Sequence, residues 1–206
     1  GKKRVLKDRL NRIVQNIESI EPSVQGKQLE LSIDRRVQYL AYRELATAVK
    51  SHRAKGGSLV MLDIRTGEVM AMVGQPSYNP NNRKGLKSQY LRNRAVTDVF
   101  EPGSTMKPFT VAAGLEFGNY EPNSLINTSP GYYQIGGYTV RDMRNYGKID
   151  VSTVITKSSN VGASKIALSL EPEQYWDALN RFGFGHSTGS GYPGESSGSL
   201  NSFNTW

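Results

Sequence analysis

The sequence has no cysteine and only two histidines, His52 and His186, among its 206 residues. Disulfides and cysteine-based metal sites are therefore excluded. Neither histidine has an Asp or Glu nearby in the chain to orient it, which argues against a Ser-His-Asp hydrolase. Carboxylates are scattered without the spacing that zinc or calcium requires, so no metal is expected. No Gly-x-x-x-x-Gly-Lys-Ser or Gly-x-Gly-x-x-Gly stands between a strand and a helix, and nucleotide cofactors drop out as well. No run approaches the roughly 20 apolar residues of a membrane span, and the opening Gly1-Lys2-Lys3-Arg4 lacks the apolar stretch of a signal peptide. Acidic residues are scarce at one end. Residues 1–55 carry 13 Lys and Arg against 6 Asp and Glu, whereas the remainder carries 13 against 12. The basic stretch Lys2–Arg12 is short and has no aromatic residue to stack on bases, so a solvated, membrane-proximal face is the better reading and no nucleic-acid partner is expected.

What is present suffices for one sizeable core, either a whole domain or part of a larger one. Leu29, Leu31 and Ile33 alternate with polar residues as a short strand would. Asp34 then offers an N-cap for a helix running to about Lys50, with Val37, Leu40, Ala41, Leu45, Ala48 and Val49 as its buried stripe. Ser58–Asp63 and Glu68–Val73, joined through Arg65-Thr66-Gly67, predict a β-hairpin. Residues 75–84 are too rich in Pro and Asn for a regular element and predict an ordered loop. Beyond it helices dominate: Ser104–Phe117 with Gly118 in a left-handed C′ position, then Ser152–Lys157, Val161–Leu170 and Glu173–Phe182. The segment 183–199 is rich in Gly and Ser. Strands followed by helices, without repeats, predict an α+β domain.

Against this background Ser104-Thr105-Met106-Lys107 carries the clearest chemical possibility. A spacing of three on a helix puts the serine hydroxyl and the lysine amine on one face, which suits a nucleophile and its base. Pro102-Gly103 places Ser104 at the helix start, where free N–H groups favour negative charge developing on attack. Lysine serves as a base only where burial or neighbouring positive charge lowers its pKa. Ser-x-x-Lys is nevertheless expected about once by chance in a chain of this length. By spacing alone an exposed helix start is the better reading. Ser158-Ser159-Asn160, between two predicted helices, could project a proton relay (Ser158) and an amide-binding group (Asn160) into a cleft. The same Ser-x-Asn pattern recurs at Ser77, Ser199 and Ser202, where ordinary loop residues are expected.

Four strings together change the weighting: Gln75-Pro-Ser-Tyr-Asn-Pro-Asn-Asn-Arg83, Arg92-Asn-Arg-Ala95, Glu101-Pro-Gly-Ser-Thr-Met-Lys-Pro108 and Lys157-Ser-Ser-Asn-Val-Gly162. From about Gln28 onward the chain resembles the class B penicillin-binding proteins of the division type, the penicillin-binding protein 3 family of peptidoglycan D,D-transpeptidases. The resemblance implies the transpeptidase and serine β-lactamase-like fold, an antiparallel sheet with a mainly helical subdomain. It implies Ser104 as nucleophile, Lys107 as base, Ser158 as proton relay and Asn160 as the residue holding the substrate amide, with no metal and no cofactor. Peptidoglycan stem peptides and β-lactam antibiotics would be its ligands. Divisome membrane proteins, a glycosyltransferase among them, would be its partners. The setting would be the periplasmic face of the inner membrane, with an anchor outside this chain. A serine β-lactamase or β-lactam sensor of the same fold, or a non-catalytic penicillin-binding module, are the alternatives. The family's Lys-Thr-Gly motif does not occur in the 206 residues. The chain is therefore expected to hold residues 28–206 of a transpeptidase domain truncated before that motif, with residues 1–27 as a linker or a remnant of the preceding pedestal domain. An incomplete domain of this kind is expected to be weakly active or inactive in isolation.

Overall fold

The computed structural model describes every residue except Arg83 and Asn119. Its first element is one that the sequence reading did not place. Strands β1 (Lys2–Lys7) and β2 (Ile13–Glu21) pair antiparallel, with nearly every residue exposed. The apolar residues Leu6, Ile13, Ile17 and Ile20 are exposed beside charged neighbours, so burial offered no pattern to read.

The strand expected at Leu29–Ile33 does not form. Alternation makes a strand only when a partner completes the ladder, and Leu29 and Leu31 are exposed. Two bonds near the end of this segment, Ser32 Oγ to the Val69 carbonyl (2.8 Å) and Asp34 N–H to the Met70 carbonyl (3.0 Å), tie it to the sheet. Asp34 caps α1 (Arg35–Ser51) as expected, its carboxylate accepting from the N–H groups of Arg36 and Val37.

Strands β3 (Gly57–Leu62) and β4 (Val69–Gln75) form the predicted antiparallel hairpin, with Leu59 opposite Val73 and Met61 opposite Ala71. Gly67, at φ +77°, supplies the left-handed residue of its turn. α1 covers one face of this hairpin, and Ala41, Val37 and Leu45 meet Ala71, Val73 and Leu59. The stripe on α1 is narrower than expected. Leu40 and Ala48 remain exposed because two strands are too few to underlie the whole helix face.

A short helix, α2 (Arg94–Thr97), precedes the region that carries the site. The helix expected over Ser104–Phe117 is in fact two elements. A 3₁₀ turn spans Gly103–Met106, and α3 runs from Lys107 to Phe117. Pro108 explains the division. It has no N–H to give the Ser104 carbonyl, and that carbonyl accepts the Lys107 N–H three residues on instead. Gly118 adopts φ −91° and ψ 178°, an extended conformation rather than a left-handed one. Glycine is needed there for space, since a Cβ would lie 2.6 Å from the Gly114 carbonyl oxygen and 3.1 Å from the Tyr120 ring.

α3 is surrounded by α4 (Val151–Thr156), α5 (Asn160–Ala167) and α6 (Pro172–Arg181), close to where helices were expected. Val111, Val154 and Ile166 form the centre of this core, and Thr110 on α3 is hydrogen-bonded to the Tyr175 hydroxyl on α6 (2.7 Å). Gly114 lets α3 and α5 approach closely, because a Cβ at that position would overlap Ile166.

The connection between α3 and α4 was not anticipated. It holds two short antiparallel pairs, β5 (Leu125–Asn127) with β8 (Lys148–Asp150) and β6 (Tyr132–Ile135) with β7 (Tyr138–Arg141). Strands of three or four residues are too short for a period-two signal to stand out. Residues 187–196, read from composition as Gly- and Ser-rich, are organised around Glu195. Its carboxylate accepts from the Ser190 hydroxyl (2.6 Å) and from the hydroxyl and N–H of Thr188, which hold its pKa down to about 2.

Candidate active site

Ser104 is exposed in the 3₁₀ turn, and Lys107 lies beneath it with 9% of its surface accessible. In a 3₁₀ turn residues i and i+3 eclipse, which brings the two side chains closer than an α-helix would. The Lys107 amine is 3.2 Å from Ser104 Oγ. From across the cleft the turn between α4 and α5 contributes the other partners. Lys107 Nζ lies 2.9 Å from Ser158 Oγ, 2.6 Å from the Ser158 carbonyl and 2.6 Å from Asn160 Oδ1. All four residues singled out in the sequence thus meet at one nitrogen.

The stoichiometry of that nitrogen is informative. An ammonium has three hydrogens, whereas four oxygens lie within reach, and two of them are carbonyls that can only accept. A neutral amine would give its two hydrogens to the Ser158 carbonyl and Asn160 Oδ1. Its lone pair would then face the two serine hydroxyls. Burial pushes the Lys107 pKa below its ordinary value, with the negative charge of Asp142 pulling the other way. The neutral form that a base requires is therefore favoured by burial, and the acceptors around the amine do not preclude it.

Ser158 sits at φ +53°, in the left-handed region. That conformation turns both its hydroxyl and its carbonyl toward Lys107, and a strained residue of this kind persists only when its surroundings hold it. Ser159, wholly buried, caps α5 by accepting from the Gly162 N–H (2.9 Å) and donates its own proton to Asp142 Oδ2 (2.7 Å). Asp142 Oδ1 also accepts from the N–H groups of Asn160 (2.6 Å) and Val161 (3.0 Å). Sequence reasoning missed Asp142. The available signal was a demand rather than a motif, because a helix opening at Ser159-Asn160 leaves N–H groups in want of an acceptor.

Other candidates stay apart from this cluster. Ser77, Ser199 and Ser202 lie in loops, as expected, and His186 is hydrogen-bonded to Asn180 (2.7 Å). Among the described residues no group of three or more His, Cys, Asp or Glu side chains could hold a metal ion. A cavity of about 670 Å³ opens between Lys55–Ser58 and Arg94–Phe100, and none of the four clustered residues lines it.

Residues 57–206 match the family model of the penicillin binding protein transpeptidase domain. The chain belongs to this family. The transpeptidase assignment extends to individual relatives. The chain is 46% identical over 198 residues to the peptidoglycan D,D-transpeptidase FtsI of Escherichia coli K12, covering 96% of this chain and 33% of that one. Among solved structures, the apo transpeptidase domain of Burkholderia pseudomallei penicillin-binding protein 3 superposes with a TM-score of 0.74 at 39% identity, over 89% of this chain and 51% of that one. A structure described as a peptidoglycan glycosyltransferase from Burkholderia ambifaria gives a TM-score of 0.75 at 41% identity, over 86% and 52% respectively. The chain thus spans between a third and about half of these relatives. The transpeptidase fold is the α+β arrangement expected from the sequence, with its antiparallel hairpin beside a helical cluster.

Proposed function

We propose that the chain belongs to a serine D,D-transpeptidase that cross-links peptidoglycan stem peptides in septal wall synthesis. The supporting observation is a buried lysine amine within hydrogen-bond distance of two serine hydroxyls, at 3.2 and 2.9 Å. Ser104 Oγ attacks the carbonyl of the penultimate D-alanine while its proton passes to Lys107. The tetrahedral intermediate collapses, the bond to the terminal D-alanine breaks, and that amine leaves with a proton relayed through Ser158. An amine of a neighbouring stem peptide then attacks the acyl-Ser104 ester, forming the cross-link and freeing the serine. Asn160 holds the donor peptide's amide. Its Nδ2 already donates to the Arg141 carbonyl (2.8 Å) and its Oδ1 accepts from Lys107, which leaves one hydrogen and one lone pair for substrate. β-Lactams acylate Ser104 by the same route.

Residues 28–206 are read as transpeptidase-domain sequence and 1–27 as a linker or remnant of a preceding domain. The site of action is the periplasmic face of the inner membrane, with an anchor outside these residues. Divisome membrane proteins, a peptidoglycan glycosyltransferase among them, are the partners. Hydrolysis of the acyl-enzyme, as in a β-lactamase, would need a group that activates water. The carboxylate at this cluster, Asp142, is instead occupied by three donors.

Intact mass after incubation with a penicillin tests the reading. The intact protein should gain one penicillin that persists for hours, and Ser104→Ala should gain none. An adduct lost within minutes would transfer the assignment to a β-lactamase. No adduct on the intact protein, or an equal one on the variant, would overturn the role of Ser104.

A further inference from the structure

Asp142 is the carboxylate closest in effect to the reactive amine, yet it belongs to neither short motif. It follows β7 directly, 38 residues beyond Ser104 in the chain. Its three acceptor bonds fall on consecutive residues: the Ser159 hydroxyl and the N–H groups of Asn160 and Val161. One side chain thereby fixes the start of α5 and, through it, the left-handed turn at Ser158. Asn160 is held from the same strand end a second time, by its bond to the Arg141 carbonyl.

We propose that Asp142 is a positioning residue for acylation, clamping the Ser158–Asn160 turn onto Lys107. The inference rests on the acyl-enzyme reading above. Geometry carries it. The Ser158 carbonyl and Asn160 Oδ1, both 2.6 Å from Lys107, are placed by a turn with a strained residue at its head, and such a turn relaxes when its clamp is removed.

Charge offers a second readout of the same contact. Asp142 is the group whose charge opposes the effect of burial on Lys107. Ionisable groups on the packed elements are otherwise engaged or exposed. Lys165 on α5 donates to the Asn127 carbonyl, Glu116 on α3 and Asp177 on α6 pair with Arg181, and Asp150 caps α4. Arg141 lies over the Tyr132 ring, Tyr175 is bonded to Thr110, and Lys157 and Glu173 are exposed. A negative charge near an amine stabilises its protonated form. Removing the charge while keeping the shape should therefore make Lys107 available as a base at lower pH.

Labelling of the intact protein with a fluorescent penicillin, followed in time across a pH series, separates these contributions. Asp142→Asn keeps an acceptor for the Asn160 and Val161 N–H groups. It should move the rising limb of the labelling rate to lower pH. Asp142→Ala removes the clamp and should slow labelling on the order of 100-fold across the series, as misplacement of a reacting group does. Thermal melts of both variants show whether each is folded, and Asp142→Asn decides the matter if the alanine variant is not. A folded Asp142→Ala that labels within tenfold of the parent, or an Asp142→Asn limb that superposes on the parent, would overturn the inference. Loss of labelling in the parent itself, or its survival in Ser104→Ala, would instead remove the acyl-enzyme reading on which it rests.

Discussion

The hairpin half of the molecule and the helical half bury their residues to different degrees. In the hairpin half α1 covers one face of β3 and β4, while Val60, Met61 and Leu62 remain 44–53% exposed. In the helical half Val154, Val161 and Ile166 are completely buried, and the two stretches that meet at Lys107 are carried on the same packed helices. A reactive amine must be kept dry and held to within a fraction of an ångström, and only the second environment does both. Substitutions in the helical half should therefore reach the chemistry, whereas those on the open hairpin face should not.

The sharpest way to break this contrast is at Lys107. Lys107→Met keeps much of the side-chain volume and removes the base. Penicillin acylation should fall by about 10³-fold, within the range ascribed to general base catalysis, and a loss under tenfold would show that another group takes the proton. Next in size is Ile166→Ala, which opens a cavity between α3 and α5. Chemical denaturation should register a loss of about 2–5 kcal/mol, and acylation should slow in the fraction that remains folded. The smallest effect is expected at Leu62→Thr on the open face of β3. Stability should change by less than about 0.5 kcal/mol and the acylation rate should not change at all. A large effect there would mean that the hairpin supports the site more directly than its packing indicates.

The same contrast governs what could be read from the sequence. α1, its Asp34 cap, the β3–β4 hairpin and the helices after residue 151 were legible because each is long or punctuated enough to carry a local signal. Ser104, Lys107, Ser158 and Asn160 were legible only in combination, since Ser-x-x-Lys alone arises by chance. The strand expected at Leu29–Ile33 failed because alternation does not say whether a partner strand exists. The 3₁₀ turn under Ser104 did not show in the residue spacing, because it follows from the N–H that Pro108 cannot give to the carbonyl four residues upstream. Strands β5 and β8 and Asp142 were silent for a common reason. Their partners lie 17 to 25 residues away, as in Asp142 with Ser159 and Leu125 with Asp150, and no local pattern encodes that pairing.

Gly114 touches none of the reacting groups, yet it acts as the gauge of the site. It lies two helical turns beyond Lys107, about 10 Å along the axis of α3, on the same stripe as Lys107 and Thr110. Its missing side chain sets how near α3 can come to Ile166 on α5, the helix that begins at Asn160. The separation between amine and asparagine is thus written partly as an absence, at a residue no ligand would ever contact. Under the proposed acyl-enzyme chemistry, reactivity toward a penicillin should accordingly change with the width between two helices, with Ser104, Lys107, Ser158 and Asn160 left in place.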